Sequence, residues 1–287
     1  LRQALAGVLG APVEDARPEY GGDINQAARF VAGGVPYFVK WNASAPPAMF
    51  ASEAHGLRLL AAADAVRVPA VIAHDEARES CPAYLVLEYI ATGGRASAAT
   101  MARFGAALAA LHGHSAQQYG LDRANFIGRL PQPNTPSADW ATFYREQRIG
   151  FQMALARRNG RLPARREKLL TRLLERLPDL LDGCGAIPAL IHGDLWGGNY
   201  LVDAAGEAVL IDPAVCYAHR EMDLAMSELF GGYGASFYDA YFAAYPAPGY
   251  PERRALYQLY YILAHLNLFG ESYGGRVDTI AAHYVGA

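Results

Sequence analysis

The residues best suited to do chemistry lie in one stretch, positions 191–203, which reads IHGDLWGGNYLVD. His192, Asp194 and Asn199 spell H-x-D-x-x-x-x-N, and Asp212 follows thirteen positions after Asn199, behind an apolar run and before Pro213. The pattern has a mechanical reading. An acid sits in a loop after a strand, a neutral oxygen ligand comes five positions later, and a second acid ends the returning strand of a hairpin that folds Asp212 back toward Asn199. Phosphoryl transfer to a hydroxyl needs such a set: one carboxylate orients the hydroxyl and takes its proton, and an Asn and an Asp hold Mg2+ on the ATP phosphates. Magnesium takes hard oxygen ligands and keeps several waters, so two protein ligands plus phosphates suffice.

The same chemistry needs an ammonium on the phosphates. YFVK supplies Lys40 on the second strand of a hairpin, and Glu53 lies on the helix that follows. The pair resembles the strand lysine of protein kinases and the helix acid that holds it. Upstream, YGGDINQA carries Gly21 and Gly22 where a loop over the phosphates belongs, although it is not G-x-G-x-x-G, and Asp23 puts an acid there. LVLEYI ends a buried strand in Glu88, Tyr89 and Ile90, whose backbone can receive an adenine edge. Taken singly, a strand lysine and a helix glutamate are ordinary surface residues. Together, in this order and on these element types, they describe a kinase.

These residues need elements to position them. AARFVA and PYFVKW flank Gly33-Gly34 and predict a hairpin. Positions 48–63 predict an amphipathic helix through Met49, Phe50, Leu57 and Leu60. VPAVIAHD and AYLVLEYI predict strands, and ATGG at 91–94 breaks the pattern. Helices then dominate: TMARFGAALAALHGHS, ADWATFYREQRIGFQMALARR, REKLLTRLLERLPDLLD and three more after position 220. The stretch at 191–203 interrupts them as a strand–loop–strand–turn–strand insert. The reading is α+β with two lobes, residues 1–91 carrying a small antiparallel sheet and one helix, and residues 92–287 mainly helical. A cleft between lobes is a natural place for a small ligand.

Bulk properties narrow the classes further. Of 287 residues, 52% are hydrophobic and 18% charged, a globular composition with ample length for a core. The formal net charge of −3 speaks against a nucleic-acid or membrane partner, which needs a concentrated basic patch. The basic run at 156–168 reads as a solvated helix face. Three widely spaced cysteines with no CxxC argue against a disulfide framework or zinc finger and for a reduced, cytoplasmic setting. No secretory signal pattern and no membrane-length apolar run is evident.

HGDLWGGN followed by IDPA resembles the aminoglycoside phosphotransferase-like kinases, and within them the fructosamine kinase family, whose pattern is H-G-D-L-W-x-G-N, then D-P-A, then a helix ending in F-G-G. Here these are His192 to Asn199, Asp212 to Ala214, and Phe230 to Gly232. The late segment with His265, Asn267, Phe269 and Gly270 resembles the family's H-x-N-x-F-G helix. The resemblance spans nearly the whole chain. It implies a protein-kinase-like fold and ATP- and Mg2+-dependent phosphorylation of the 3-hydroxyl of a ketosamine, a fructosamine or ribulosamine, free or on protein side chains, in deglycation. By position it makes Asp194 the base, Asn199 and Asp212 the metal ligands, Lys40 the phosphate lysine with Glu53 its partner, and 88–90 the adenine hinge. An aminoglycoside- or choline-type kinase is the alternative within the class; a non-catalytic nucleotide-binding pseudokinase and a two-metal phosphoesterase with His219 lie outside it.

Secondary features carry their own expectations. Gly197 and Gly198 are expected to let the loop turn tightly. Trp196 either packs on a sugar or anchors the loop to the core. Asp223 opens a helix and is expected to hold the catalytic-loop backbone. His265 and Asn267, two apart on a helix, cannot share a face, and His265 is the candidate substrate contact. His112 and His114 read as a polar helix end, and Cys216 as a small buried residue. The abundant tyrosines suit an aromatic groove or ordinary packing equally.

Overall fold

Helix α1 (Arg2–Leu9) and strand β1 (Val13–Glu19) open the chain, followed by β2 (Gln26–Ala32) and β3 (Val35–Asn42). The computed structural model describes residues 1–19 and 24–286; the expected phosphate cradle at Gly21 and Gly22, with Asp23, lies outside the described residues. β2 and β3 pair antiparallel around Gly33-Gly34, whose φ angles of 57° and 80° are the left-handed pair a two-residue hairpin requires. Helix α2 (Met49–Ala62), β4 (Val71–Asp75) and β5 (Ala83–Glu88) follow. The strands form one antiparallel sheet in the order β1-β2-β3-β5-β4.

Period-two alternation decides which residues share a face of this sheet. Phe30, Val39 and Val86 pack with Leu5 of α1 on one face. Lys40, one residue beyond Val39, therefore turns to the other face, where its register partner is Leu85. That face is covered by α2 through Phe50, Ala54, Leu57 and Leu60, all buried. Burying one such leucine or phenylalanine contributes about 1.5–3 kcal/mol. The apolar spacing of α2 thus fixes its roll against the sheet and turns Glu53 toward Lys40.

The rest is mainly helical. Helix α3 (Ala98–His112) starts at the Ser97 cap, which accepts from the Thr100 N–H at 3.0 Å, and buries Met101, Phe104, Leu108 and Leu111 as expected. A short hairpin, β6 (Asn125–Ile127) and β7 (Leu130–Gln132), precedes α4 (Trp140–Phe143). The single helix expected from 138 to 158 is instead α4, a π-helical stretch Tyr144–Gly150, and α5 (Phe151–Arg158). A Cβ on Gly150 would lie 2.7 Å from the Arg145 carbonyl, so the widened turn depends on that glycine. Helix α6 (Ala164–Leu181) follows. The basic run is only partly solvated: Arg166 is 2% exposed and pairs with Glu271 at 2.6 Å and Asp278 at 2.8 Å.

The insert has the expected strand–loop–strand–turn–strand order. β9 (Tyr200–Val202) and β10 (Ala208–Leu210) form a hairpin. β8 (Ala189–Ile191) pairs instead with β11 (Cys216–Ala218), Ile191 opposite Cys216. Helices α7 (Glu221–Leu229), α8 (Ala235–Ala244), α9 (Tyr250–Phe269) and α10 (Gly274–Val285) complete the chain. One core cluster runs from α2 and β5 into these helices, and a Cβ on Gly56 of α2 would lie 3.1 Å from Val215. Among the described residues no helix is long and apolar enough to cross a membrane.

Candidate active site

The catalytic loop is held from behind. Asp223, in the first turn of α7, accepts the backbone N–H groups of His192 and Gly193 at 2.7 and 2.8 Å, as expected of an acid at a helix start. The same carboxylate faces His112 Nε2 at 3.2 Å. Arg220 donates to the Tyr241 hydroxyl (2.9 Å), which lies 2.8 Å from His112 Nδ1, so a relay of donors ends on Asp223. His112 is the last residue of α3, as expected, but it is fully buried rather than solvated, and burial pushes its pKa below the usual value. His114 alone is exposed.

His192 joins the loop to the strand that carries Asp212. Its Nδ1 accepts from the Asp194 N–H at 3.3 Å and its Nε2 faces the Ile211 carbonyl at 2.9 Å. That assigns the proton to Nε2, and burial, opposed by the nearby carboxylates, lowers its pKa. Gly193 has φ 83°, and a Cβ there would run into the Ala214 carbonyl. The loop and the returning strand approach this closely only because the residue is glycine.

The β9–β10 hairpin brings the second acid back, as the spacing predicts. Ile211 N–H donates to the Asn199 carbonyl at 3.0 Å. Asn199 Nδ2 donates to Asp194 Oδ2 and to the Asp194 carbonyl, both at 2.9 Å, and lies 3.4 Å from the Asp212 carbonyl. With Nδ2 so engaged, Oδ1 is the atom left for a cation. Asp212 has φ 54°, a conformation uncommon for a non-glycine residue and one that clusters at functional sites. Its carboxylate is 42% exposed. An amide oxygen beside an accessible carboxylate is the hard donor set that Mg2+ accepts.

Lys40 completes the constellation. Its ammonium is ion-paired with Glu53 at 2.7 Å and with Asp212. Burial alone would lower its pKa, but the two carboxylates outweigh burial and hold it above the ordinary lysine value. Burial raises the Glu53 pKa against the pull of Lys40. Asp194 is pushed up to about 7, chiefly by burial; Asn199 opposes the shift and Asp212 and Asp223 add to it. A carboxylate poised near neutrality suits general-base work.

At the end of β5, the Glu88 N–H donates to the Ala70 carbonyl at 2.9 Å. The Glu88 carboxylate takes Arg67 at 2.9 Å and the Ala70 N–H at 3.1 Å. Arg67 also pairs with Asp203 in the β9–β10 turn. Tyr89 lies under the Arg29 guanidinium, 4.9 Å from it, and Ile90 is buried. The connector is tied to the same turn by Ala204 N–H to the Ala91 carbonyl, 2.9 Å.

Gly197 and Gly198 are the central pair of a tight turn, as expected, closed by the Asn199 N–H on the Trp196 carbonyl at 2.9 Å, although neither has positive φ. The space at Gly197 is open, whereas a Cβ on Gly198 would collide with the Trp196 indole. Trp196 is 37% exposed and packs edge-on against Phe230 at 6.1 Å. His265 and Asn267 do diverge: Asn267 is buried against Gln152 of α5 (2.9 Å), and His265 packs on Phe230. Cys216 is buried, with Arg148 at 3.1 Å. His219 is buried on the Tyr257 hydroxyl at 2.6 Å. Tyr144, Tyr241, Tyr257, Tyr260 and Tyr261 are fully buried, so these serve packing. Roles that sequence patterns do not disclose belong to His112 and Arg67, whose partners Asp223, Tyr241 and Asp203 lie more than a hundred positions away, and to His192, which ties the loop to Ile211.

Comparison with known proteins identifies the family. The family model described as fructosamine kinase matches residues 2–285. A "Probable ketoamine kinase" of Lactiplantibacillus plantarum is 44% identical over 95% of each chain. A "Protein-ribulosamine 3-kinase, chloroplastic" of Arabidopsis thaliana is 40% identical over 92% of this chain and 81% of its own. The crystal structure of a "putative fructosamine-3-kinase" from Thermobifida fusca superposes with TM-score 0.89 at 33% identity, covering 100% of this chain and 99% of that one. A thermostable mutant of aminoglycoside phosphotransferase APH(4)-Ia shares the protein-kinase-like fold, with TM-score 0.68 at 19% identity over 100% and 99% of the two chains. The chain belongs to the fructosamine kinase family.

Proposed function

We propose that this member of the fructosamine kinase family transfers the γ-phosphoryl of ATP to the 3-hydroxyl of a ketosamine, a fructosamine or ribulosamine, free or protein-bound, in deglycation. The observation that carries the reading is that Asp194, Asn199, Asp212 and the Lys40–Glu53 pair form one continuous set of contacts. Asp194 takes the hydroxyl proton as the acceptor oxygen bonds to phosphorus and the bond to ADP breaks. Asn199 turns one Asp194 oxygen aside by hydrogen bonding and leaves Oδ1 free for the proton. Lys40, held by Glu53, supplies a fixed positive charge for the phosphates. Asn199 Oδ1 and the Asp212 carboxylate would hold Mg2+, which neutralises charge on the transferring group.

The same reading gives the backbone of 88–90 to the adenine, Gly21 and Gly22 to the phosphates, and Trp196 and His265 to the acceptor. It divides the lobes at 91–92 and sets the enzyme in the cytoplasm, with no nucleic-acid or membrane partner. The test is ATP consumption with fructoselysine, ribuloselysine and erythruloselysine side by side, with the phosphorylated carbon located by NMR. Acceptor-dependent ADP release with phosphate on C3 supports the reading. ADP release with none of the three, or phosphate on another carbon, overturns it.

A further inference from the structure

Two sequence fragments, 230–232 and 265–270, supply neither the base, the metal ligands nor the phosphate contacts of this reading, yet they meet beside the catalytic loop. Trp196 packs on Phe230 with ring centroids 6.1 Å apart, Phe230 on His265 at 5.0 Å, and His265 on Phe269 at 5.5 Å and Tyr273 at 5.1 Å. No direct ring pair joins Trp196 to His265 or Phe230 to Phe269 among the described residues, while Phe269 and Tyr273 also pair at 6.3 Å, so Trp196, Phe230 and His265 run in sequence and end on a three-ring cluster of His265, Phe269 and Tyr273. Trp196, Phe230 and Phe269 are 37%, 42% and 52% exposed, three of the seven large exposed hydrophobics among the described residues. Exposed aromatic surface of this kind marks a binding site more often than chance.

The strip starts two residues from Asp194 and is longer than one sugar ring, so it must receive what the sugar is attached to. Its chemistry is aromatic with one polar atom. His265 Nδ1 donates to the Tyr261 carbonyl at 2.8 Å, and burial lowers the pKa of the ring, which leaves Nε2 as an acceptor. A second sugar would require several hydrogen-bonding groups. An alkylammonium arm requires apolar faces, one acceptor for its N–H, and rings that attract a cation.

We infer that the Trp196–Phe230–His265–Phe269–Tyr273 strip seats the amine-side arm of the acceptor, a lysine-like alkyl chain, with the secondary ammonium at His265 and the methylenes along Phe269 and Tyr273. This rests on the ketosamine kinase reading. The test is kcat/KM for ketosamines of one sugar joined to methyl-, ethyl-, propyl- and butylamine, in the wild type and in Phe230→Ser and Phe269→Ser. The exposed positions of both phenylalanines allow folding to be checked by an unchanged Tm.

The expected result is a rise of about two- to fourfold per methylene in the wild type, from the transfer of CH2 groups onto apolar surface, and a flattened series in both variants. A flat wild-type series with ketosamine turnover intact overturns the strip alone. So does a rise that persists in both variants. Failure of the wild type to phosphorylate any member overturns the kinase reading itself.

Discussion

Lys40 and Asp212 are ion-paired although 172 positions separate them in the chain. The contact joins the sheet to the hairpin that follows the catalytic loop, and Glu53 closes it from α2 at 2.7 Å. Three charges from three elements therefore meet where phosphates and a metal would be held. Each charge depends on the others.

The first prediction follows from that dependence. Lys40→Met leaves Glu53 and Asp212 without their cation, and breaking a buried pair from one side costs about 3 kcal/mol or more. Chemical denaturation should show that loss, and activity should fall at least about a hundredfold through the phosphate contact. Glu53→Gln should add little to Lys40→Met. Fully additive losses in the double mutant would mean that the two residues do not act as a pair.

The second concerns pH. As the proposed base, Asp194 would act as its anion, and burial holds its pKa at about 7, so kcat/KM should rise with pH through that region. A bound cation beside Asp212 favours the anion, so the limb in kcat should lie lower. A pH-independent kcat/KM between 5 and 8 would contradict the first statement, and a kcat limb at or above that of kcat/KM would contradict the second.

The third uses the same shift as a statement about stability. A carboxylate whose pKa is raised on folding costs nothing below its unfolded value near 4. The cost grows as pH rises from there to about 7 and is complete above. Asp194→Asn keeps an acceptor for Asn199 and removes that cost. Its Tm should exceed the wild-type value by a few degrees, about 2–4 °C per kcal/mol, at pH 8 and match it near pH 4. An equal or lower Tm at pH 8 would contradict the buried-acid account.

The fourth separates the glycines of the loop. Gly193→Ala meets the Ala214 carbonyl in a left-handed conformation and should remove activity and cost several kcal/mol. Gly198→Ala meets the Trp196 indole and should displace it, lowering acceptor turnover more than ATP binding. Gly197→Ala meets nothing within 4 Å and should change Tm by little. Calorimetry and steady-state kinetics on the three variants check the order.

Much of this was legible in the chain before any coordinates. Gly33-Gly34, the α2 stripe and the spacing from Asp194 to Asp212 are local signals, and each produced the expected local structure. What escaped was non-local or lacked contrast. β1 buries only Val13, so no alternation marks it. β6 and β7 turn the polar Asn125 and Gln132 inward, against the usual pattern. β11 is three residues long and finds β8 across the whole insert. The helix end at His112 was legible, but its burial was not, because its partners, Asp223 and Tyr241, lie more than a hundred residues away. The shape of the catalytic loop was also legible, but the reason for Gly198 was not, because it lies in where the neighbouring indole folds.

The most direct test of the central claim is single-turnover phosphoryl transfer by Asp194→Asn in the presence of ATP, Mg2+ and a ketosamine. ATP affinity should stay within about threefold of the wild type, since Lys40, Asn199 and Asp212 are untouched. Transfer should fall by about two to four orders of magnitude, the usual worth of a positioned base. Transfer at the wild-type rate by a variant that binds ATP normally would contradict the assignment of Asp194 as the base.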